Sequence, residues 1–245
     1  MGTFTETPIL EIDRILQTTK ALERRVGERF PDSGLREVCG QLLVLGGRTR
    51  ERMAWLSRPI WPLRALVIGL VGLVGGALVV GLVGYVKLPG KLGFLEVVQA
   101  VESGINDVIF LGIAVFFLWT LERRIKRARA LRAINELRSL AHVVDMHQLT
   151  KDPARSLDPG ADTVSSPKRT LTPFELSRYL DYCSELLSHI GKLAVLYIQS
   201  IDDGTVLDSA TEVENLTTGL SRKVWQKLMI LHMHGGGRIG RIGST

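Results

Sequence analysis

Cysteine is close to absent from this chain: Cys39 and Cys183 are the only two in 245 residues. Neither belongs to a CxxC pattern or stands beside an evident base, so a cysteine-built metal or redox centre is excluded and core packing is the expected role of both. The common catalytic signatures are missing too. There is no GxxxxGKS or GxGxxG loop, no GxSxG elbow and no HExxH helix. The GGG near the C-terminus follows a helical pattern instead of opening one, which is the wrong end of a helix for holding phosphate. Without catalytic apparatus, the expectation is a non-enzymatic protein with no cofactor and no bound metal.

Charge is missing altogether from residues 65–86, ALVIGLVGLVGGALVVGLVGYV. That length crosses a hydrocarbon core of about 30 Å as one helix. At about 100° per residue, Ala65, Gly69, Gly72 and Gly76 fall within roughly a 60° sector, and Gly72 to Gly76 is a GxxxG step. A face with almost no side chains lets backbones approach closely, which is how helices associate where lipid is as apolar as leucine. These four residues form the expected helix-packing face. Its partner is either the second span or a copy of the same helix.

The second span, about 104–121, ends in the uncharged run VIFLGIAVFFLWTL before Glu122, Arg123, Arg124, Ile125, Lys126 and Arg127. That run is short for a crossing of about 20 residues, and counting back such a length from Leu121 reaches the neighbourhood of Glu102. Asn106 and Asp107 then lie a little inside the outer boundary. Upstream, Gln99, Glu102, Ser103 and Asn106 make one polar stripe, with Val97, Val98, Val101, Ile105 and Val108 toward the opposite side, so an amphipathic helix feeds into the span. Polar groups at membrane depth face a bundle interior or water. Gln99, Glu102, Asn106 and Asp107 are therefore the candidate outer mouth of a pathway. The alternative is an interfacial helix lying on the outer surface.

Basic residues set the orientation. Arg48, Arg50, Arg52, Arg58 and Arg64 precede the first span and Arg123, Arg124, Lys126, Arg127, Arg129 and Arg132 follow the second, whereas the connection carries only Lys87 and Lys91. Both termini are expected in the cytoplasm, in a multi-pass protein of the plasma or inner membrane. Trp55, Trp61 and Trp119 fall at the inner headgroup belt and Tyr85 near the outer one. The start, MGTFTETPILEIDR, reads as no secretory signal, and Glu6 stands where a myristoylation site has Ser or Thr. The net charge of +6 is concentrated at the inner membrane flanks, where Arg58, Arg64, Arg123, Arg124, Lys126 and Arg127 would meet anionic headgroups. Nucleic-acid binding is not needed to explain it.

The remaining chain reads as cytosolic and helical. Residues 1–60 form a helical hairpin: Thr7-Pro8 opens a helix running to Phe30, Pro31-Asp32-Ser33-Gly34 turns the chain, and a second helix covers about 35–57, weakened by Gly40, Gly46 and Gly47. Residues 122–150 form an extension helix projecting from the second span. In it Leu131, Ile134, Leu137, Ala141, Val144 and Gln148 approach a coiled-coil seam. The same helix holds AHVVDMHQLTKDP, where His142 and Asp145 share a face but His147 lies five residues from His142, so the three make a candidate polar site without the spacing of a zinc pair.

Residues 151–171, rich in Pro, Ser, Gly and Asp, form a flexible linker. A helical domain then spans 172–234. It opens on the capping box Thr172-Pro173-Phe174-Glu175, turns at Asp202-Asp203-Gly204 and breaks again at Gly219. At roughly 60 residues it is near the lower limit for an independent core. Tyr179, Tyr182, Tyr197 and Trp225 are candidate interface anchors for dimerisation. Residues 235–245 form a disordered Gly/Arg tail.

The expected protein is all-α, with a two-helix transmembrane hairpin and helical cytosolic regions. Its partners are the bilayer with its anionic inner leaflet, further copies of itself and a cytosolic protein. The reading is an oligomerising anchor or scaffold. The alternatives are an oligomeric ion channel or membrane-permeabilising effector, and a membrane-bound metal-dependent enzyme built on His142, Asp145 and His147.

Overall fold

A computed structural model describes residues 10–87, 93–153, 163–166 and 170–236. Thr7-Pro8, most of the linker and residues 237–245 of the Gly/Arg tail lie outside the described residues, whereas Gly235 and Gly236 belong to the last helix and not to a disordered tail. Six helices are described: α1 (Ile12–Arg29), α2 (Gly34–Leu56), α3 (Trp61–Lys87), α4 (Phe94–Leu149), α5 (Pro173–Ser200) and α6 (Gly204–Gly236). Among the described residues there is no strand. The chain divides into two compact units, Arg58–Ala128 and the two flanking segments that together make the other. The sequence separates the N-terminal hairpin, the extension helix and the C-terminal domain, but these pieces share one helical bundle, and α4 contributes to both units.

The bundle is built around α5. Its capping box is reciprocal: Thr172 Oγ1 accepts from the Glu175 amide at 3.2 Å and the Glu175 carboxylate accepts from the Thr172 amide at 2.8 Å, with Pro173 in the first turn. From Leu176 to Tyr197 its buried residues cover roughly 220° of the helix circumference at about 100° per residue, the broad stripe of a helix packed by more than one neighbour. Helices α1, α2 and α6 all pack against it. Tyr179, Tyr182 and Tyr197 are buried in this core, and Phe30 meets the rings of Tyr179 and Tyr182 edge-on. They are core residues, not interface anchors, and only Trp225 of the four aromatics stands exposed.

Helix α1 starts at Ile12, not at Thr7. Leu10 and Glu11 are non-helical, and Glu11 takes the N-cap position in extended conformation. From there Ile15, Thr19, Leu22 and Val26 recur at helical spacing and are buried. On α2 the buried stripe includes Val38, Cys39, Leu42, Gly46 and Thr49. Gly46 is a packing position instead of a weak point, because a Cβ there would overlap the Leu16 side chain of α1. The missing side chain leaves room for the Leu16 methyl.

Helix α6 runs without a break through Gly219. Val206, Ala210, Val213, Thr217, Leu220, Val224, Leu228 and Leu231 are buried in one continuous stripe. Burying each apolar side chain contributes about 1.5–3 kcal/mol, which outweighs the roughly 1 kcal/mol penalty of one exposed glycine. Its start is fixed by Asp203, whose carboxylate accepts from the Thr205 and Val206 amides at 3.1 and 3.3 Å.

The C-terminal part of α4 completes the core. Ile134, Leu137, Ala141, Val144 and Gln148 are buried, so the apparent coiled-coil seam is consumed within the chain and does not await a partner helix. Polar contacts fix α4 to its neighbours: Glu136 to Arg52 of α2, Arg138 to Glu212 of α6, and the Gln148 carbonyl to Lys227 of α6.

In the other unit, α3 and α4 pair in antiparallel fashion. Pro59 interrupts the helical backbone between α2 and α3, and Pro62 occupies the first turn of α3, where its missing N–H costs nothing. Leu63, Val67, Leu70 and Val74 of α3 are half-buried at 4,3,4 spacing, as are Leu111, Val115 and Leu118 of α4. The rest of the apolar surface is bare. Leu73, Val80 and Phe110 are 72, 73 and 70 % exposed. Both helices are long and apolar enough to cross a membrane, and none of their most apolar window is buried within the chain. The amphipathic segment that begins at Phe94 and the second apolar run belong to one uninterrupted helix.

Candidate functional site

The small-residue face of α3 is open. Ala65, Gly69, Gly72 and Gly76 are exposed, and a Cβ added at any of the three glycines meets nothing within 4 Å. At about 100° per residue this face lies roughly 160° around α3 from the Leu63, Val67, Leu70 and Val74 seam. Of the two partners the sequence allows for that face, α4 is thus not the one it meets among the described residues.

Gln99, Glu102, Asn106 and Asp107 all sit on the exposed surface of α4. The polar stripe exists as a feature of one helix. A single hairpin does not enclose a pathway around it.

The basic girdle is divided by a carboxylate that the sequence hides inside a run of positive charge. Glu122 is buried to 9 % exposure; it accepts from the Ile60 amide at 3.4 Å and from Lys126 Nζ at 3.0 Å, with Arg64 Nε at 3.6 Å. Arg64 and Lys126 both lie beside Glu122, Lys126 half-buried and Arg64 with 56 % of its side chain exposed. Arg58, Arg123, Arg124 and Arg127 remain exposed. Arg123 lies over the Trp119 ring at 5.0 Å, holding an exposed tryptophan beside the basic cluster. Trp61 is likewise exposed, but Trp55 is half-buried against the bundle core with Arg129 over it at 3.8 Å. Trp55 thus packs as part of the bundle.

His142, Asp145 and His147 do not converge. His142 is exposed, Asp145 accepts from the Gln148 side chain, and the His147 ring lies against Gly34 at the start of α2, where a Cβ would overlap it. Glu136, the other carboxylate within reach in sequence, is held by Arg52. Among the described residues no three His, Cys, Asp or Glu side chains are grouped to hold a metal ion. The stretch around His147 instead borders a cleft of about 790 Å³ that includes Arg29, Asp32, His147, Lys151, Glu175 and Tyr179. Arg29 and Lys151 are balanced there by Asp32 and Glu175, and each cation lies over an aromatic ring, Phe174 and Tyr179, at 5.3 Å. The cleft has no net preference for one sign of charge.

The buried titratable groups serve packing. Burial pushes the thiols of Cys39 and Cys183 up to about 12. It pulls Lys227 below the usual lysine range while its ammonium donates to the Gln148 carbonyl at 2.6 Å. No protein-family model matches this chain, and comparison with curated proteins and with solved structures gives no match.

Sequence reasoning missed two positions, Glu122 and Gly46. A signal for Glu122 was present: one acid within a basic run, four residues before Lys126, is the spacing of a helical ion pair. Gly46 carried none, because only the crossing of α1 over α2 distinguishes it from Gly40.

Proposed function

We propose that the protein is an integral membrane protein in which α3 and α4 form a transmembrane hairpin, α3 associates with further copies through Ala65, Gly69, Gly72 and Gly76, and the helical bundle is held in the cytoplasm as a non-enzymatic anchor or scaffold for a partner protein. The observation that carries this reading is the bare apolar surface of α3 and α4. Burial of apolar surface contributes about 25 cal/mol per Å², and patches beyond a few hundred Å² are rare on soluble monomers, so lipid is the medium that suits these two helices. The bundle is assembled from chain on both sides of the hairpin. Two crossings return the chain to the side it left, which supports placing both ends together, and the excess of Arg and Lys at residues 48–64 and 123–132 supports the cytoplasm as that side.

The smooth face of α3 points away from the half-buried side it turns to α4, which favours contact with a second copy. The test is the mass of the protein in lipid nanodiscs, corrected for bound lipid. The wild-type chain is expected to contain two or more copies, and Gly72→Ile with Gly76→Ile to be monomeric with its helix content intact. A monomeric wild type would sink the self-association.

The channel reading is favoured by one observation: α4 is continuous, so Asn106 and Asp107 lie on the helix that crosses, exposed and near membrane depth. It requires a closed ring of several copies. Under it, Glu102→Gln with Asp107→Asn shifts cation selectivity in planar bilayers. The anchor reading expects no conductance in either form.

A further inference from the structure

Helix α4 sorts the charges that follow its apolar run onto opposite sides. Val115, Leu118 and Glu122 line a cleft with Leu63, Arg64 and Val67 of α3, half-buried Leu111 continues the same side of α4, and Lys126 joins it through its bond to Glu122. At about 100° per residue, Phe116, Phe117, Thr120, Arg123, Arg124 and Arg127 fall within roughly 120° on the far side. These six residues, with Leu121, line a groove of about 450 Å³. It is apolar at its Phe116 and Phe117 end and basic at its Arg123 and Arg124 end, a change made over about 12 Å of helix rise. The Thr120 hydroxyl is spent on the Phe116 and Phe117 carbonyls at 2.9 and 2.8 Å, so it presents no free donor to the groove.

We propose that this groove binds an anionic phospholipid of the leaflet bordering the bundle, with the phosphate on Arg123 and Arg124 and the upper acyl chains against Phe116 and Phe117. The inference rests on the membrane reading above. Charge complementarity selects the headgroup, since guanidinium pairs with phosphate through parallel hydrogen bonds. The order of chemistry along the helix, apolar and then basic in the direction leaving the span, selects a lipid over a soluble anion. Arg123 is already oriented by the Trp119 ring. Arg64 and Lys126 have Glu122 as their counter-ion and contribute to the closure of the hairpin, not to lipid selection. The basic girdle thus has two parts with separate tasks.

The test reconstitutes the full chain into neutral phosphatidylcholine vesicles and into vesicles with added phosphatidylglycerol. Flotation in high salt comes first. Failure to float with phosphatidylcholine overturns the membrane reading and this site with it. Flotation followed by native mass spectrometry then counts retained phosphatidylglycerol against phosphatidylcholine. The wild type is expected to retain phosphatidylglycerol preferentially. Arg123→Gln with Arg124→Gln should weaken that preference by roughly fivefold per arginine removed, and Arg64→Gln with Lys126→Gln should keep it. Both arginines of the first pair are exposed, so unchanged circular dichroism is expected, and Arg124→Glu alone provides a second variant with the same predicted sign. No preference in the floated wild type, preference undiminished in the first pair, or equal loss in the second pair overturns the lipid site alone. Full competition by soluble glycerol phosphate assigns the groove to free anions and overturns the lipid assignment.

Discussion

Arg52 holds Glu136 with two parallel hydrogen bonds, Nη1 to Oε2 and Nη2 to Oε1, both 2.9 Å long. The pair ties α2 to α4 across 84 residues of sequence and sits beside the buried Tyr197 hydroxyl, which donates to Thr49 Oγ1 at 3.1 Å. Paired guanidinium and carboxylate groups that remain about a third exposed contribute less than buried ones. Glu136→Gln is expected to lower bundle stability by about 1 kcal/mol, and Tyr197→Phe by a similar amount through the loss of one buried hydrogen bond. Thermal unfolding in detergent, followed by the near-ultraviolet signal of the tyrosines, measures both. An unchanged midpoint in either variant contradicts the assignment of that contact.

The glycines of the bundle divide into those that a methyl group would disturb and those that it would help. At Gly46 it collides with Leu16, and at Gly191 it comes within 2.9 Å of Thr217 Oγ1. Alanine at either position loses the benefit it has elsewhere in a helix, because the Leu16 methyl or the Thr217 hydroxyl must move aside, and should change stability by less than about 1 kcal/mol at Gly46 and lower it by about 1 kcal/mol at Gly191. Gly40, Gly47 and Gly219 have open space around them, so alanine there removes a helix penalty and should stabilise by up to about 1 kcal/mol. Urea titration of the five single variants checks the signs. Full stabilisation by Gly46→Ala, equal to that at Gly40, would mean that the Leu16 side chain does not cover that point.

His189 supplies a pH dependence. Its Nδ1 lies 2.7 Å from Thr19 Oγ1, whose own proton goes to the Ile15 carbonyl, so the ring nitrogen donates. Burial, together with Lys192 and Arg25 and against the opposing Glu185, lowers the His189 pKa below its ordinary value of 6.5. The folded bundle therefore binds fewer protons than the unfolded chain in that range. Stability from this group is full above pH 6.5 and is lost as pH falls toward the lowered folded value. His189→Gln is expected to flatten that part of the stability profile. A wild type as stable at pH 5 as at pH 7.5 argues against a buried neutral imidazole.

Both thiols should be silent while the bundle is folded. With pKa values near 12, roughly a thousandfold fewer thiolates exist at neutral pH than for a free cysteine. Maleimide labelling read by intact mass is predicted to stall in native buffer and to reach both Cys39 and Cys183 once denaturant is added. Rapid native labelling of either would place that cysteine outside the core.

Much of this architecture is legible in the sequence because it rests on local rules. The charge-free run 65–86, the Thr172 to Glu175 capping box and the turn at Pro31 to Gly34 are each determined by adjacent residues. What stays hidden depends on chain segments far apart. The spacing of Ile134, Leu137, Ala141 and Val144 is the same whether the facing helix belongs to this chain or to another, so periodicity alone does not separate a bundle core from a coiled coil. Propensity places a break at Gly219, but it does not know that the residues on either side of it share a buried stripe against α5. His147 reads as a candidate ligand because its contact with Gly34 spans more than a hundred positions. The candidate site behaves the same way. The small-residue face is visible from glycine spacing, whereas the partition of the basic girdle depends on Glu122 turning toward Arg64, more than fifty residues upstream.

The split bundle has a consequence for biosynthesis. Helices α1 and α2 leave the ribosome with their apolar stripes complete, yet α5, the helix that covers them, begins only at Pro173, long after α2 ends at Leu56. At roughly 5–20 residues per second, that interval lasts on the order of ten seconds. Throughout it Leu22, Val26, Val38 and Leu42 await their cover while two far more apolar segments emerge behind them. Nascent chains stalled before Pro173 therefore carry a half-built core, which makes this the stage at which holding chaperones and quality-control proteases would meet the protein.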